Sequence, residues 1–255
     1  GDHFQGTAIS NLTQGMVVND ILKEMGLLTS ALGNHEFDFG SDKIPMWAEK
    51  GGYQYLASNI EVKEANKPAG WDKYVVPYKI QTVEVAGKEI QVGFIGIATP
   101  ETKFKTAADN VVGFTFTDPV EATNKYSKIL KDKGVDIILS LTHLGGFQKE
   151  GKITGEVVDY ANGVKDIDGI FLGHTHQLVE GVVNGIPVVQ GNYNGRGLSK
   201  ISLNFGVKNE EVTFKGTTGK VIAMTPLISQ LDEDPKVKVI VDQYKKDLEP
   251  ILNEK

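Results

Sequence analysis

The stretch Ser30 to Gly40, SALGNHEFDFG, sets an amide (Asn34), an imidazole (His35) and two carboxylates (Glu36 and Asp38) within five consecutive positions, directly after an apolar run. Side chains of these types bind metal ions, carry protons and stabilise developing negative charge. The chain has five histidines, His3, His35, His143, His174 and His176, and four of them follow strand-like runs, in LLTSALGNHE, IILSLTHLGG and GIFLGHTH. Glycines beside them let the backbone turn sharply or approach closely. In an open α/β sheet the carboxyl ends of the strands are where ligands sit, so imidazoles placed there can converge. Together with the Asp2 carboxylate of GDHFQG and the Asn34 amide, and without sulfur, they suit Zn, Mn, Fe, Ni or Co rather than calcium, Cu(I) or an iron-sulfur cluster. A carboxylate can bridge two cations about 3.5 to 4 Å apart, the separation used for in-line attack on phosphorus. Asp2 is the candidate bridge. His35 would then point at the substrate, with Asp38 holding its other ring nitrogen and favouring imidazolium. A helix cap near Ser41 would use Asp38 equally well. Glu36 reads as support behind the ligands.

Elements able to position these groups are visible in the hydropathy pattern. Near-continuous apolar runs begin at Gly26, Ile90, Val135, Asp166 and Ile186, as expected of strands buried on both faces. Helical patterns lie between them at Gly15 to Gly26, Ser41 to Gly52 and Asp118 to Gly134, the last opening on an Asp cap with Pro at its first turn. This alternation predicts an α/β layered domain. SKISLNF and EVTFKGTTGKVIAM alternate by twos and predict an antiparallel hairpin, which makes the sheets mixed. From Asp234 onward, apolar residues at threes and fours predict one amphipathic helix.

Composition narrows the function classes. A chain of 255 residues with 40% hydrophobic residues can bury a substantial core. A net charge of -6 argues against holding a nucleic-acid polymer through a basic surface, while a small phosphorylated substrate is compatible if cations supply positive charge. Lys125, Lys128, Lys131 and Lys133 read as a solvated helix face. Zero cysteines exclude disulfides and thiolate chemistry. No apolar run approaches the roughly 18 residues of a membrane span, and no signal peptide pattern opens the chain.

Four blocks in order, GD at Gly1-Asp2, GNHE at Gly33 to Glu36, TH at Thr142-His143 and GHTH at Gly173 to His176, resemble the calcineurin-like metallophosphoesterase superfamily. GDHFQG and LGNHEFDFG resemble its 5'-nucleotidase branch, which includes 2',3'-cyclic-nucleotide phosphodiesterases and UDP-sugar hydrolases. The resemblance covers nearly all of the chain. It implies a four-layer αββα sandwich with the active site at strand ends between two sheets. It implies that Asp2 bridges two divalent ions, that Asn34, His143 and His174 complete one site, that His176 serves the other, and that His35 and Asp38 form the catalytic dyad. The implied reaction is hydrolysis of a nucleotide phosphate ester by metal-activated water, in a secreted, periplasmic or wall-attached protein.

On the same resemblance, residues 1 to 233 are the catalytic domain without its first strand and Asp-x-His block, expected upstream. Residues 234 to 255 are a connector helix toward a C-terminal nucleotide-recognition domain. With the visible ligands, the Asn34/His143/His174 site is expected to retain one ion and its neighbour to be weak or empty; turnover by the chain alone is not implied. Arg196, the sole arginine, is expected on the surface. Rival readings are a metal or nucleotide binding module without turnover, a 2',3'-cyclic-nucleotide phosphodiesterase, and a metallohydrolase of amide or ester bonds.

Overall fold

A computed structural model describes residues 1–209 and 211–252; the last three residues of the expected connector lie outside them. The elements that build the domain are α1 (Met16–Glu24), β1 (Thr29–Ala31), α2 (Lys43–Gly51), β2 (Gln54–Leu56), β3 (Val75–Val76), β4 (Tyr78–Val85), β5 (Lys88–Ile97), α3 (Pro119–Asp132), β6 (Ile137–Thr142), α4 (Glu156–Gly163), β7 (Gly169–Phe171), β8 (Leu178–Val183), β9 (Ile186–Gly191), β10 (Gly197–Lys208), β11 (Glu211–Ala223) and α5 (Pro235–Leu252).

Six strands form one sheet in the order β8-β9-β7-β6-β5-β4. The central four are parallel, and β8 and β4 flank them antiparallel, so the sheet is mixed as expected. Its side chains alternate between two covered faces. Ile95, Ile97, Ile138 and Ile170 pack with Leu130 of α3 and with Val157, Tyr160 and Ala161 of α4. Val92, Ile137 and Leu139 point the other way, against Ile201, Leu203, Phe205 and Phe214 of the β10–β11 hairpin. Burial on both sides explains why these strands read as continuous apolar runs.

The parallel sheet β1-β2-β3 shares the hairpin's layer. Tyr55 of β2 packs with Ile44, Trp47 and Ala48 of α2, and a Cβ on Gly96 of β5 would sit 2.2 Å from the Leu56 carbonyl oxygen. The chain is therefore layered as α1/α2, small sheet with hairpin, six-stranded sheet, and α3/α4. This is the expected αββα sandwich.

Local signals account for the ends. The Asp118 carboxylate accepts the Glu121 N–H at 2.8 Å and Pro119 opens α3, which is how an N-cap satisfies an orphan donor. Lys125, Lys128 and Lys131 on α3 and Lys133 at its C-cap are exposed, as read from the sequence. The sequence pattern starts β5 only at Ile90, whereas the strand begins at Lys88 and pairs with β4. Ala86 and Gly87 both take positive φ, 49 and 80, the geometry of a tight hairpin turn. Helix α5 docks back on α1: Tyr244 donates its hydroxyl to Asp20 at 2.7 Å, Lys236 pairs with Glu24 at 2.8 Å, and Leu248 is buried. No helix among the described residues is long and apolar enough to cross a membrane.

Contact between the two sheets at Gly96 leaves no room for a methyl group. Gly96→Ala is expected to destabilise the fold by about 1–3 kcal/mol, the usual cost of overpacking, read as a lower urea midpoint. An unchanged midpoint would contradict the sheet-on-sheet packing.

Candidate metal centre

The carboxyl ends of β1, β5, β6 and β7 meet at one edge of the sandwich. Past β1 the chain runs through Leu32 and Gly33 to Asn34, then winds into a single 3₁₀ turn, His35–Phe37. His143 follows β6 directly, its N–H donating to the Ile97 carbonyl at 2.8 Å. Gly173 and His174 follow β7, and Gly173 lies against the His143 ring: a Cβ there would be 3.0 Å from Nδ1. The Gly1–His3 segment crosses the end of β1 backbone to backbone. A Cβ on Gly1 would sit 2.2 Å from the Gly33 nitrogen, and one on Gly33 would sit 2.3 Å from Asp2 Oδ1. Only glycine permits that approach.

Asp2, His143 and His174 each bring one donor atom within 4.8 Å of the others. Asp2 Oδ1 accepts the His35 N–H at 2.8 Å. Its Oδ2 lies 2.8 Å from His143 Nε2, close enough for an ion pair, yet that buried nitrogen has no directed hydrogen bond. His174 turns Nδ1 toward Asn34 Oδ1 at 3.1 Å and Nε2 toward Glu101 Oε2 at 3.0 Å. The Asn34 amide nitrogen reaches the Lys105 carbonyl at 3.4 Å, which orients its oxygen to the centre. Asp2, His174 and His176 all hold positive φ, 61, 71 and 56. Such conformations cost about 1–3 kcal/mol each and gather at functional sites.

Electrostatics favour the ligating forms. Burial holds the His143 imidazole below its ordinary value despite the neighbouring Asp2 charge. Burial works to raise the Asp2 carboxyl, but the His143 contact and the His35 N–H outweigh it and hold it well below the usual carboxylate range.

His35 stands beside this group with its ring partly exposed. Its Nδ1 lies 2.5 Å from Asp38 Oδ2. Asp38 also accepts from Gln5 Nε2 at 2.9 Å and Thr106 Oγ1 at 2.8 Å. Burial pulls the imidazole down, but the Asp38 hydrogen bond and the charges of Asp2, Asp38 and Glu36 outweigh it and raise it above the ordinary value. The helix-cap alternative for Asp38 does not occur: α2 starts at Lys43, after Asp42.

A profile of calcineurin-like phosphoesterases matches residues 1–178. The chain belongs to the calcineurin-like phosphoesterase family. Endonuclease YhcR of Bacillus subtilis is 28% identical over 268 residues, covering 100% of this chain and 21% of that protein. The 5'-nucleotidase of Bos taurus is 29% identical over 272 residues, covering 96% of this chain and 43% of that protein. The chain thus spans less than half the length of either relative. In fold, the crystal structure of calcineurin-like phosphoesterase YfkN from Bacillus subtilis superposes with a TM-score of 0.82 at 22% identity, over 100% of this chain and 84% of that one.

For a calcineurin-like phosphoesterase the donor set fits a divalent metal. Donor atoms of Asp2, His143 and His174 lie within 4.8 Å of one another, the Asn34 amide oxygen is 3.1 Å from His174 Nδ1, and the buried His143 Nε2 has no directed hydrogen bond, a set of oxygen and nitrogen donors of the kind such ions take. His176 lies apart from that group: it is exposed, its ring 5.8 Å from that of Tyr193. Two adjoining cavities of about 500 and 710 Å³ share Asp2, His35, His174 and His176 in their walls. Arg196 is exposed, its guanidinium 4.3 Å over the Tyr193 ring. Burial, foremost, holds His3 well below the ordinary imidazole value, and its Nε2 contacts Ser30 Oγ at 2.7 Å.

Glu101, Gln5 and Thr106 were not legible in the sequence. Glu101 follows β5, whose apolar run gave the one available signal, since its carboxyl end shares the edge that carries the histidines.

His35 titrates above its ordinary value in the folded chain, so it adds stability that is fully present below about pH 6.5 and lost as pH rises through the folded value. Asp38→Asn should lower the midpoint of the His35 ring in an NMR titration and shrink that pH dependence. An unshifted midpoint would contradict the role given to Asp38.

Proposed function

We propose that this chain is the catalytic domain of a divalent-metal-dependent phosphoesterase that hydrolyses nucleotide phosphate esters. The observation that carries the reading is the meeting of Asp2, His143 and His174 donor atoms within 4.8 Å, beside an imidazole whose Nδ1 is engaged by a carboxylate. Asp2, Asn34, His143 and His174 would hold one ion. Asp2 and His176 would contribute to a second, weaker site. A divalent ion held there would polarise phosphoryl oxygens and lower the pKa of an attacking water.

The chain's own residues do the rest. Asp2 contributes the anionic ligand and, through Oδ1, fixes the His35 backbone. Glu101 holds the Nε2 edge of His174, which keeps Nδ1 on the centre. Because Asp38 occupies Nδ1 of His35, the free Nε2 is the atom that donates to the phosphoryl or leaving oxygen. Asp38 keeps that ring oriented and favours its protonated form.

Cavity size and charge support a small substrate. A cavity of about 500 Å³ is of ligand size, and the net charge of -6 disfavours a polyanion held by the protein surface alone. We place residues 1 to 233 as the catalytic unit and residues 234 to 255 as a connector toward a nucleotide-recognition domain, in an exported protein. The relative named as an endonuclease favours a second reading, cleavage of phosphodiesters, by the same residues.

Hydrolysis of 5'-AMP, 2',3'-cyclic AMP and single-stranded DNA by the full-length protein with Mn²⁺ tests both readings. Turnover of 5'-AMP that EDTA abolishes and Mn²⁺ restores is the expected result; preferred cleavage of DNA would favour the second. His35→Asn should cut kcat by about 10²–10⁴-fold with KM little changed. An unaltered kcat would contradict the role of His35.

A further inference from the structure

Glu36 is fully buried, and it lies one residue from the imidazole that faces the cavity. A carboxylate so placed needs donors, and it has three, all from the backbone. Its Oε2 accepts the N–H groups of Asp2 at 2.8 Å and Gly33 at 2.6 Å, and its Oε1 accepts the N–H of His3 at 2.8 Å. Two of these donors belong to the segment that carries Asp2. The third belongs to the loop that carries Asn34 and His35. Between the two lies the Gly1–Gly33 backbone contact, where a Cβ on Gly1 would come within 2.2 Å.

The Asp2 backbone sits in the left-handed region, φ 61, a conformation that is uncommon outside glycine and that gathers at functional sites. The amide of that strained residue and the amide after it are the two that Glu36 captures. The His35 N–H then fixes Asp2 Oδ1, leaving Oδ2 aimed at His143 Nε2, 2.8 Å away.

We propose that Glu36 is a positioning residue: its carboxylate clamps the Gly1–His3 segment to the Gly33 loop and so places Asp2 opposite His143. The clamp acts on affinity for the ion before any chemistry. A glutamine in its place would set an amide N–H against backbone N–H donors, so one edge of the clamp would open. This inference rests on the metal-centre reading, and its test separates the two.

Wild type, Glu36→Gln, Glu36→Asp and Tyr160→Phe should be compared by Mn²⁺ calorimetry, urea unfolding and backbone amide exchange. Tyr160 is buried between Ser140 and Thr123, away from the centre, so Tyr160→Phe should lose stability while keeping its Mn²⁺ affinity. Glu36→Gln should weaken Mn²⁺ binding about 10–100-fold, as loss of a group behind metal ligands does, and should speed exchange at Asp2, His3 and Gly33. Glu36→Asp, which keeps the charge on a shorter arm, should fall between. Wild-type affinity in Glu36→Gln overturns the proposal; if that variant does not fold, wild-type affinity in Glu36→Asp does so. If wild type takes up no Mn²⁺, the metal-centre reading fails, and undiminished amide protection in either Glu36 variant overturns the clamp.

Discussion

Asp2 Oδ2 stands 2.8 Å from the buried His143 Nε2, a contact without the direction of a good hydrogen bond, and the rest of the site is arranged around that pair. A buried polar atom without a partner costs about 1–3 kcal/mol. Left-handed backbone at Asp2 and at His174 adds a further cost. Neither expense contributes to the core. A cation placed between both atoms would make that nitrogen a ligand, which is the physical argument for proposing a binding site here rather than a packing fault.

The sandwich makes such an arrangement sustainable. His143 and His174 issue from adjacent parallel strands of the six-stranded sheet, whose residues Ile138, Ile170 and Ile97 are buried. Asn34 issues from the small sheet, which touches the large one at Leu56 and Gly96. Donors from both sheets therefore meet at one edge, each within three residues of the end of a paired strand. The Gly1–His3 segment, with no strand of its own among the described residues, is tied down by the backbone contact at Gly33 and by the Glu36 carboxylate.

Much of this was legible from residue order. Strands buried on both faces leave continuous apolar runs, and Asp118 followed by Pro119 marks a helix start regardless of tertiary context. Histidines after such runs had to lie at strand ends, and the structure puts His143 and His174 there together. What stayed hidden depends on distant pairings. Glu101 meets His174 across 73 positions, and Thr106 meets Asp38 across 68; no local pattern announces either. The two readings of Asp38 were equal in sequence because a cap and a ring partner use the same carboxylate. The 3₁₀ turn at His35–Phe37 decides between them by delaying α2 to Lys43. The amphipathic terminal helix was plain, while its partner, α1, was not.

The most direct measurement is anomalous diffraction from crystals of the chain grown with Mn²⁺ or Zn²⁺. A peak within bonding distance, about 2.0–2.2 Å, of Asp2 Oδ2, His143 Nε2 and a ring nitrogen of His174 is the result required. Ions found only at surface carboxylates, with His143 Nε2 still lacking a partner, would contradict the account.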